Sequence, residues 1–186
     1  MSAPIPGRLI AVVGPSGVGK DSVISGLVAA RPEMAWVRRV ITRPSDAGGE
    51  PFEGVTKAEF DRRRAAQVFC LAWEAHGLFY GIPASALDDV KVGADRVVNL
   101  SRAVLMEAAS VFPKLVVLNI TAAPETLAKR LASRGRESAS DIAARLARKA
   151  ASFDPSLNVH VIANDGALTD TVRAALDVLQ PESAKQ

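Results

Sequence analysis

Apolar and polar positions along the chain alternate between two rhythms. Residues 8–13 form a short, nearly continuous apolar run ended by Gly14, the pattern of a strand buried on both faces of a parallel sheet. Over 20–30 the apolar positions are Val23, Ile24, Leu27 and Val28, a helical stripe that stops before Pro32. Further β-type runs occupy 36–41, 96–100, 115–120 and 158–162, and helical patterns occupy 102–111, 124–133, 138–153 and 167–179. Two helix starts are marked: Pro124 stands in a first turn with Glu125 behind it, and Ser138 to Asp141 resembles a capping box. Strands alternating with helices predict a three-layer α/β fold around a mostly parallel, five-stranded sheet.

Residues 43–85 break this alternation. They are rich in Gly and Pro, then give a short helix near 56–64 and β-like stretches near 68–74 and 78–82. We read them as a small lobe inserted into a core made of 7–42 and 86–180, all within one domain spanning 1–186. His76 before Gly77 reads as a hairpin turn between the two β-like stretches, and His160 in the last strand as a half-buried structural histidine.

Composition narrows the choices. The chain has 186 residues, 48% hydrophobic and 23% charged, which suits one compact domain. No apolar run approaches the ~20 residues of a membrane span, and the first residues lack the regions of a signal peptide. Cys70 is the sole cysteine and lies in an apolar run, so a packed thiol and a reducing cytoplasm are expected. No Cys/His spacing suggests zinc. The net charge of +3 fits a small anionic ligand as well as nucleic acid, but aromatics at 5% are too few for a base-stacking platform. Arg62, Arg63 and Arg64 follow Glu59 and Asp61 on a helical pattern and read as a solvated face. Neither a nucleic-acid nor a membrane partner is expected, and monomer and homodimer both remain open.

The strongest chemical signal is Gly14-Pro15-Ser16-Gly17-Val18-Gly19-Lys20, directly after a buried strand and opening a helix. Such a loop turns backbone N–H groups around the phosphates of ATP, with the helix dipole behind them and Lys20 reaching the β- and γ-phosphates. The fold class is therefore that of a P-loop NTPase. The residue after the lysine is Asp21 rather than Ser or Thr, followed by Ser22. A carboxylate is a good hard-oxygen ligand, so Asp21, with Ser22 in reserve, is the candidate for Mg²⁺. No strand ends in a Walker-B aspartate; Asn99 offers an amide instead.

Together with that loop, Ile41-Thr42-Arg43, the stretch from Glu74 to Gly81, Arg134-Gly135-Arg136-Glu137 and Asn164-Asp165 give a chain that resembles guanylate kinases over nearly its whole length. The resemblance implies a nucleotide-monophosphate-kinase core, an acceptor-binding lobe at 43–85 and an arginine lid at about 134–148 over the ATP. Arg43 and Tyr80 match the positions with which that family holds the acceptor's phosphate, while its second phosphate-binding arginine falls at Asp46. Its guanine-reading glutamate and serine fall at Leu71 and Ile82. A site that hydrogen-bonds guanine cannot exchange Glu for Leu and keep its discrimination.

A neighbouring branch fits better. Gly19-Lys20-Asp21-Ser22, Trp73 to Gly77, Asn99-Leu100-Ser101-Arg102 and Asn164-Asp165-Gly166 are similar to ribose 1,5-bisphosphate phosphokinases of bacterial phosphonate breakdown. The resemblance implies ATP-dependent phosphorylation of ribose 1,5-bisphosphate to 5-phosphoribosyl 1-diphosphate, with Mg²⁺. Arg43, Tyr80 and Arg102 are then the acceptor's candidate ligands, with Asn99 and Ser101 beside the sugar. Lid candidates are Arg130, Arg134, Arg136, Arg145 and Arg148, with Lys20, Arg134 and Arg145 assigned to catalysis. Asn164 and Asp165 fall where the related kinases approach adenine, or at a turn. The rival readings are a guanylate or other nucleoside-monophosphate kinase and a binding module without catalysis.

Overall fold

The structure is a computed structural model and describes residues 5–133 and 152–180. Its first sheet has five strands, all parallel: β1 (Leu9–Val13), β2 (Ala35–Trp36), β7 (Arg96–Asn99), β8 (Leu115–Thr121) and β9 (Val159–Ala163). Their spatial order is β2-β7-β1-β8-β9. Every residue of β1 is buried, as its continuous apolar run requires of a central strand.

Alternate β1 side chains serve opposite faces of the sheet. Ile10 and Val12 join Val23, Ile24 and Leu27 of α1 (Lys20–Ala30) and Val172 and Ala175 of α6 (Leu168–Val178). Leu9, Ala11 and Val13 join Ala86 and Val90 of α3 (Ala84–Lys91), and Leu105 and Ala108 of α4 (Leu105–Val111). Helices thus cover both faces, giving the expected three layers. At the sheet's start Arg8 holds Asp95 through a bidentate ion pair and donates to the Leu179 carbonyl at 2.9 Å, tying β1, β7 and the end of α6 together.

The lobe is a second sheet, ordered β4-β3-β6-β5, built from β3 (Arg39–Ile41), β4 (Phe52–Gly54), β5 (Phe69–Ala75) and β6 (Leu78–Pro83), with α2 (Lys57–Ala65) on one face. The single strand expected over 36–41 is two strands in different sheets: Trp36 pairs with Val97, whereas Ile41 pairs with Tyr80. The charged pair Arg38-Arg39 stands at the break, between the apolar pairs Trp36-Val37 and Val40-Ile41. Strand β4 and helix α3 were not legible either. The first is a three-residue strand made by its pairing with β3, and the second has only Ala86 and Val90 as buried residues. The β5–β6 hairpin turns at His76 (φ 53°) and Gly77 (φ 73°), the two left-handed residues of a type I′ turn. The Thr56 hydroxyl caps α2 by accepting from the Glu59 N–H at 3.2 Å. Arg62 and Arg63 lie along that helix in ion pairs with Glu59, and Arg63 also reaches Glu53. These arginine hydrogen bonds hold the Glu59 carboxyl down at about 2. At least two members of the arginine triplet therefore belong to a solvated, ion-paired face.

Leu71 and Ile82 connect the two sheets. Both are buried in the cluster that contains Val13, Val98 and Leu100 at the carboxyl ends of β1 and β7. That contact turns one face of the lobe toward the end of the core where the phosphate loop begins. The expected helix at 138–153 lies mostly outside the described residues. No helix among the described residues is long and apolar enough to cross a membrane.

Candidate active site

The loop Gly14–Gly19 leaves the buried end of β1 and enters α1. Gly19 caps α1 with left-handed backbone (φ 96°) and no side-chain cap, so the first N–H groups of the helix keep the anion-binding character of an open helix start. A Cβ at Gly19 would lie 2.7 Å from the Asn164 amide nitrogen, so bulk is excluded there as well as disfavoured by φ. The Lys20 ammonium lies across the loop and donates to the carbonyls of Gly14 and Pro15 at 3.0 and 3.2 Å.

Asp21 stands in the first turn of α1, and Asn99 at the tip of β7 donates to its carboxylate at 3.3 Å. Two residues singled out separately in the sequence are thereby joined at the mouth of the loop. Ser22 is exposed. Among the described residues no group of three His, Cys, Asp or Glu side chains is placed to hold a metal by itself. The one oriented carboxylate fits Mg²⁺ held chiefly by nucleotide phosphates and water.

Behind the loop, the Asn164 amide donates to the Val18 carbonyl at 2.8 Å and its oxygen accepts from the Thr171 hydroxyl at 2.8 Å. Arg130, from α5 (Pro124–Ser133), donates to the same Val18 carbonyl at 3.2 Å. Asn164 is only 4% exposed. Asp165 accepts from the Ala123 N–H at 2.7 Å, and this bond, with one from Thr126, holds its carboxyl below the usual range. Asn164, Asp165 and Arg130 thus brace the loop and the start of α5. The brace escaped the sequence reading because it joins residues far apart in the chain. Arg134, Arg136, Arg145 and Arg148 lie outside the described residues.

Of the residues expected at the acceptor, Ser101 caps a 3₁₀ turn at Arg102–Val104 by accepting from the Ala103 N–H at 3.3 Å. Arg102 donates to Asn119 at 2.9 Å and lies 4.6 Å from the centre of the Phe153 ring; burial pushes its guanidinium below the ordinary arginine value. Arg43 lies over the Phe52 ring and donates to the Gly48 carbonyl at 3.0 Å, while its Nε is buried with no partner. That orphaned donor is the kind of group an incoming anion satisfies. Arg43 also lines a cavity of about 500 Å³ with Thr42, Thr56, Lys57 and Phe79. Tyr80 follows Phe79 in β6 and faces the other side of the sheet, stacked on Trp73 with ring centres 5.2 Å apart.

The cation over Tyr80 is Arg39, 5.0 Å from its ring centre, and the sequence reading missed it. Arg39 is 7% exposed and paired through Nε and Nη2 with buried Glu50. Its signal was the charged pair Arg38-Arg39 between apolar residues of 36–41, followed by an acidic residue in a glycine-rich loop.

Comparison with known proteins identifies the family and the fold. A family model described as guanylate kinase matches residues 6–182. Ribose 1,5-bisphosphate phosphokinase PhnN of Ruegeria sp. (strain TM1040) is 49% identical over 98% of this chain and 97% of its own length. The protein of that name from Agrobacterium fabrum (strain C58) is 41% identical over 92% of this chain and 96% of its own. The crystal structure of guanylate kinase from Anaplasma phagocytophilum superposes with a TM-score of 0.69 at 19% identity, covering 96% of this chain and 87% of that one, which shows the shared fold. The chain belongs to the guanylate kinase family and, within it, to the branch of the ribose 1,5-bisphosphate phosphokinases.

Proposed function

We propose that the chain transfers the γ-phosphoryl group of ATP to the 1-phosphate of ribose 1,5-bisphosphate, forming 5-phospho-α-D-ribose 1-diphosphate and ADP. The observation that carries this reading is an intact phosphate loop beside a lobe whose Leu71 and Ile82 are sealed in the apolar core. The lobe offers arginines and a phenol, with no guanine reader. A module kept only for binding has no need of the braced loop and its lysine.

An acceptor phosphate is already anionic near neutral pH, so its oxygen attacks the γ-phosphorus without a general base, and the bond to the β-phosphate oxygen breaks. What the protein must supply is in-line positioning and neutralisation of charge. The open N–H groups of the loop cradle the β-phosphate, and the Lys20 amine exchanges its carbonyl partners for phosphate oxygens. Asp21, oriented by Asn99, would hold Mg²⁺, which would supply neutralisation of phosphate charge. Arg43 and Tyr80 from the lobe, and Asn99, Ser101 and Arg102 from the core, are the candidate ligands of the acceptor. Arg134 and Arg145, with Arg136 and Arg148, lie outside the described residues and are assigned by the family resemblance to neutralising charge on the transferred phosphoryl group.

The test is direct. With Mg-ATP and ribose 1,5-bisphosphate, phosphorus NMR should show a diphosphate at C1 and a retained phosphate at C5. Lys20→Ala should lower kcat by roughly 10²–10³-fold, as loss of one phosphate-stabilising donor does. Near-normal turnover by that variant would remove the loop from the mechanism.

A further inference from the structure

Building on that functional reading, we propose that Arg39 is a specificity-determining residue, holding the acceptor's non-reacting phosphate through its Nη1 edge with Glu50 as the positioning residue. Four observations converge. Arg39 is a charged side chain 7% exposed within the lobe, and both hydrogen bonds to Glu50 leave from Nε and Nη2, so Nη1 takes part in neither. Its guanidinium lies 5.0 Å from the Tyr80 ring centre and 6.0 Å from that of Trp73, on rings stacked at 9° to each other. The group is thus fixed on two sides, by a carboxylate and by aromatic faces, and its free edge is aimed by both.

The register supplies the third observation. Val40 pairs with Gly81 and Ile41 with Tyr80, so Arg39 is level with Ile82, whose partner across β5 is Leu71. All four of Arg39, Ile82, Tyr80 and Trp73 then share one face of the lobe's sheet, the face that Leu71 and Ile82 turn toward the ends of β1 and β7. In the guanylate kinase resemblance, positions 71 and 82 read the base, the end of the acceptor remote from its reacting phosphate. Arg39 therefore puts a cation where an acceptor without a base carries its second phosphate. The fourth is energetic. A buried ion pair contributes little to stability compared with apolar residues of the same volume, so a fold alone gives small reason to bury one here.

The experiment compares ribose 1,5-bisphosphate with ribose 1-phosphate, which lacks the second phosphate, in the whole protein. Arg39→Ala strands the Glu50 carboxylate and risks misfolding, so the decisive variant is the double replacement Arg39→Met with Glu50→Leu, which removes both charges together. We expect kcat/KM for the bisphosphate to fall by about 100-fold, the scale of a lost charge-assisted contact. The rate on ribose 1-phosphate should change by less than about threefold, and KM for ATP by less than about twofold. Arg39→Lys, which keeps the charge and loses the fork, should fall between. An equal loss on both acceptors would make Arg39 a structural residue and overturn the inference alone. Wild-type protein silent on the bisphosphate would overturn the functional reading and this inference with it.

Discussion

The side-chain amide of Asn99 lies 3.3 Å from the carboxylate of Asp21, joining the tip of β7 to the first turn of the helix that follows the phosphate loop. In the proposed mechanism this contact orients the one carboxylate that would face a divalent cation in a chain without a Walker-B aspartate. Asp21→Asn should therefore raise the Mg²⁺ concentration needed for half-maximal rate and lower the maximal rate. Asn99→Ala, which releases Asp21, should weaken apparent Mg²⁺ affinity by roughly 10-fold. A magnesium titration of the steady-state rate checks both, and an unchanged activation curve for Asp21→Asn would remove Asp21 from the metal site.

Asn164 separates a brace from a base reader. Its replacement by Ala leaves the Thr171 hydroxyl without its Asn164 acceptor and the Val18 carbonyl with one donor fewer. The expected cost is about 1–3 kcal/mol of stability by chemical denaturation, with a raised KM for ATP. Preference for ATP over GTP should be kept. A collapse of that preference would show instead that Asn164 reads adenine.

Acid should weaken the joint at the start of the main sheet. Burial alone would raise the Asp95 carboxyl, but the hydrogen bond and charge of Arg8, with help from Arg31, outweigh it and hold the group below its ordinary value. Its folded pKa is depressed, so its stabilisation is fully present above the unfolded value near ~4 and is lost as pH falls through the folded value. Asp95→Asn should cost about 1–3 kcal/mol at neutral pH and flatten the acid limb of the stability curve. Denaturation midpoints between pH 7 and pH 3 measure it; parallel curves for the two proteins would contradict the assignment.

Cys70 should be chemically quiet. Burial pushes its thiol up to about 11, and its sulfur lies 3.5 Å from the carbonyls of Ile82 and Pro83. The thiolate is the reactive form, so iodoacetamide labelling at pH 8 should be at least ~100-fold slower than for a free cysteine until the protein is denatured. Rapid labelling of the native protein would contradict a packed thiol.

Most of the core was legible because its signals are local. The β1 run, the glycine-rich turn and the α1 stripe follow one another within residues 8–30, and each dictates its own backbone. The hairpin at His76 and Gly77 was legible for the same reason. What escaped depends on distant partners. The break within 36–41 exists because Trp36 finds Val97 while Ile41 finds Tyr80. The Asn164 brace exists because β9 ends behind Val18. The Arg39–Glu50 pair closes across the glycine-rich loop, where no periodicity marks it.

The central claim is that the lobe selects a sugar bisphosphate because Leu71 and Ile82 belong to the core and no longer read a base. The most direct measurement is kcat/KM with Mg-ATP for ribose 1,5-bisphosphate against GMP, followed by ADP release. A ratio of about 10⁴ or more in favour of the sugar bisphosphate is expected, the scale on which a site lacking the hydrogen-bond partners of a base rejects it. Comparable or faster turnover of GMP would contradict the claim and show that this pocket still accepts a purine.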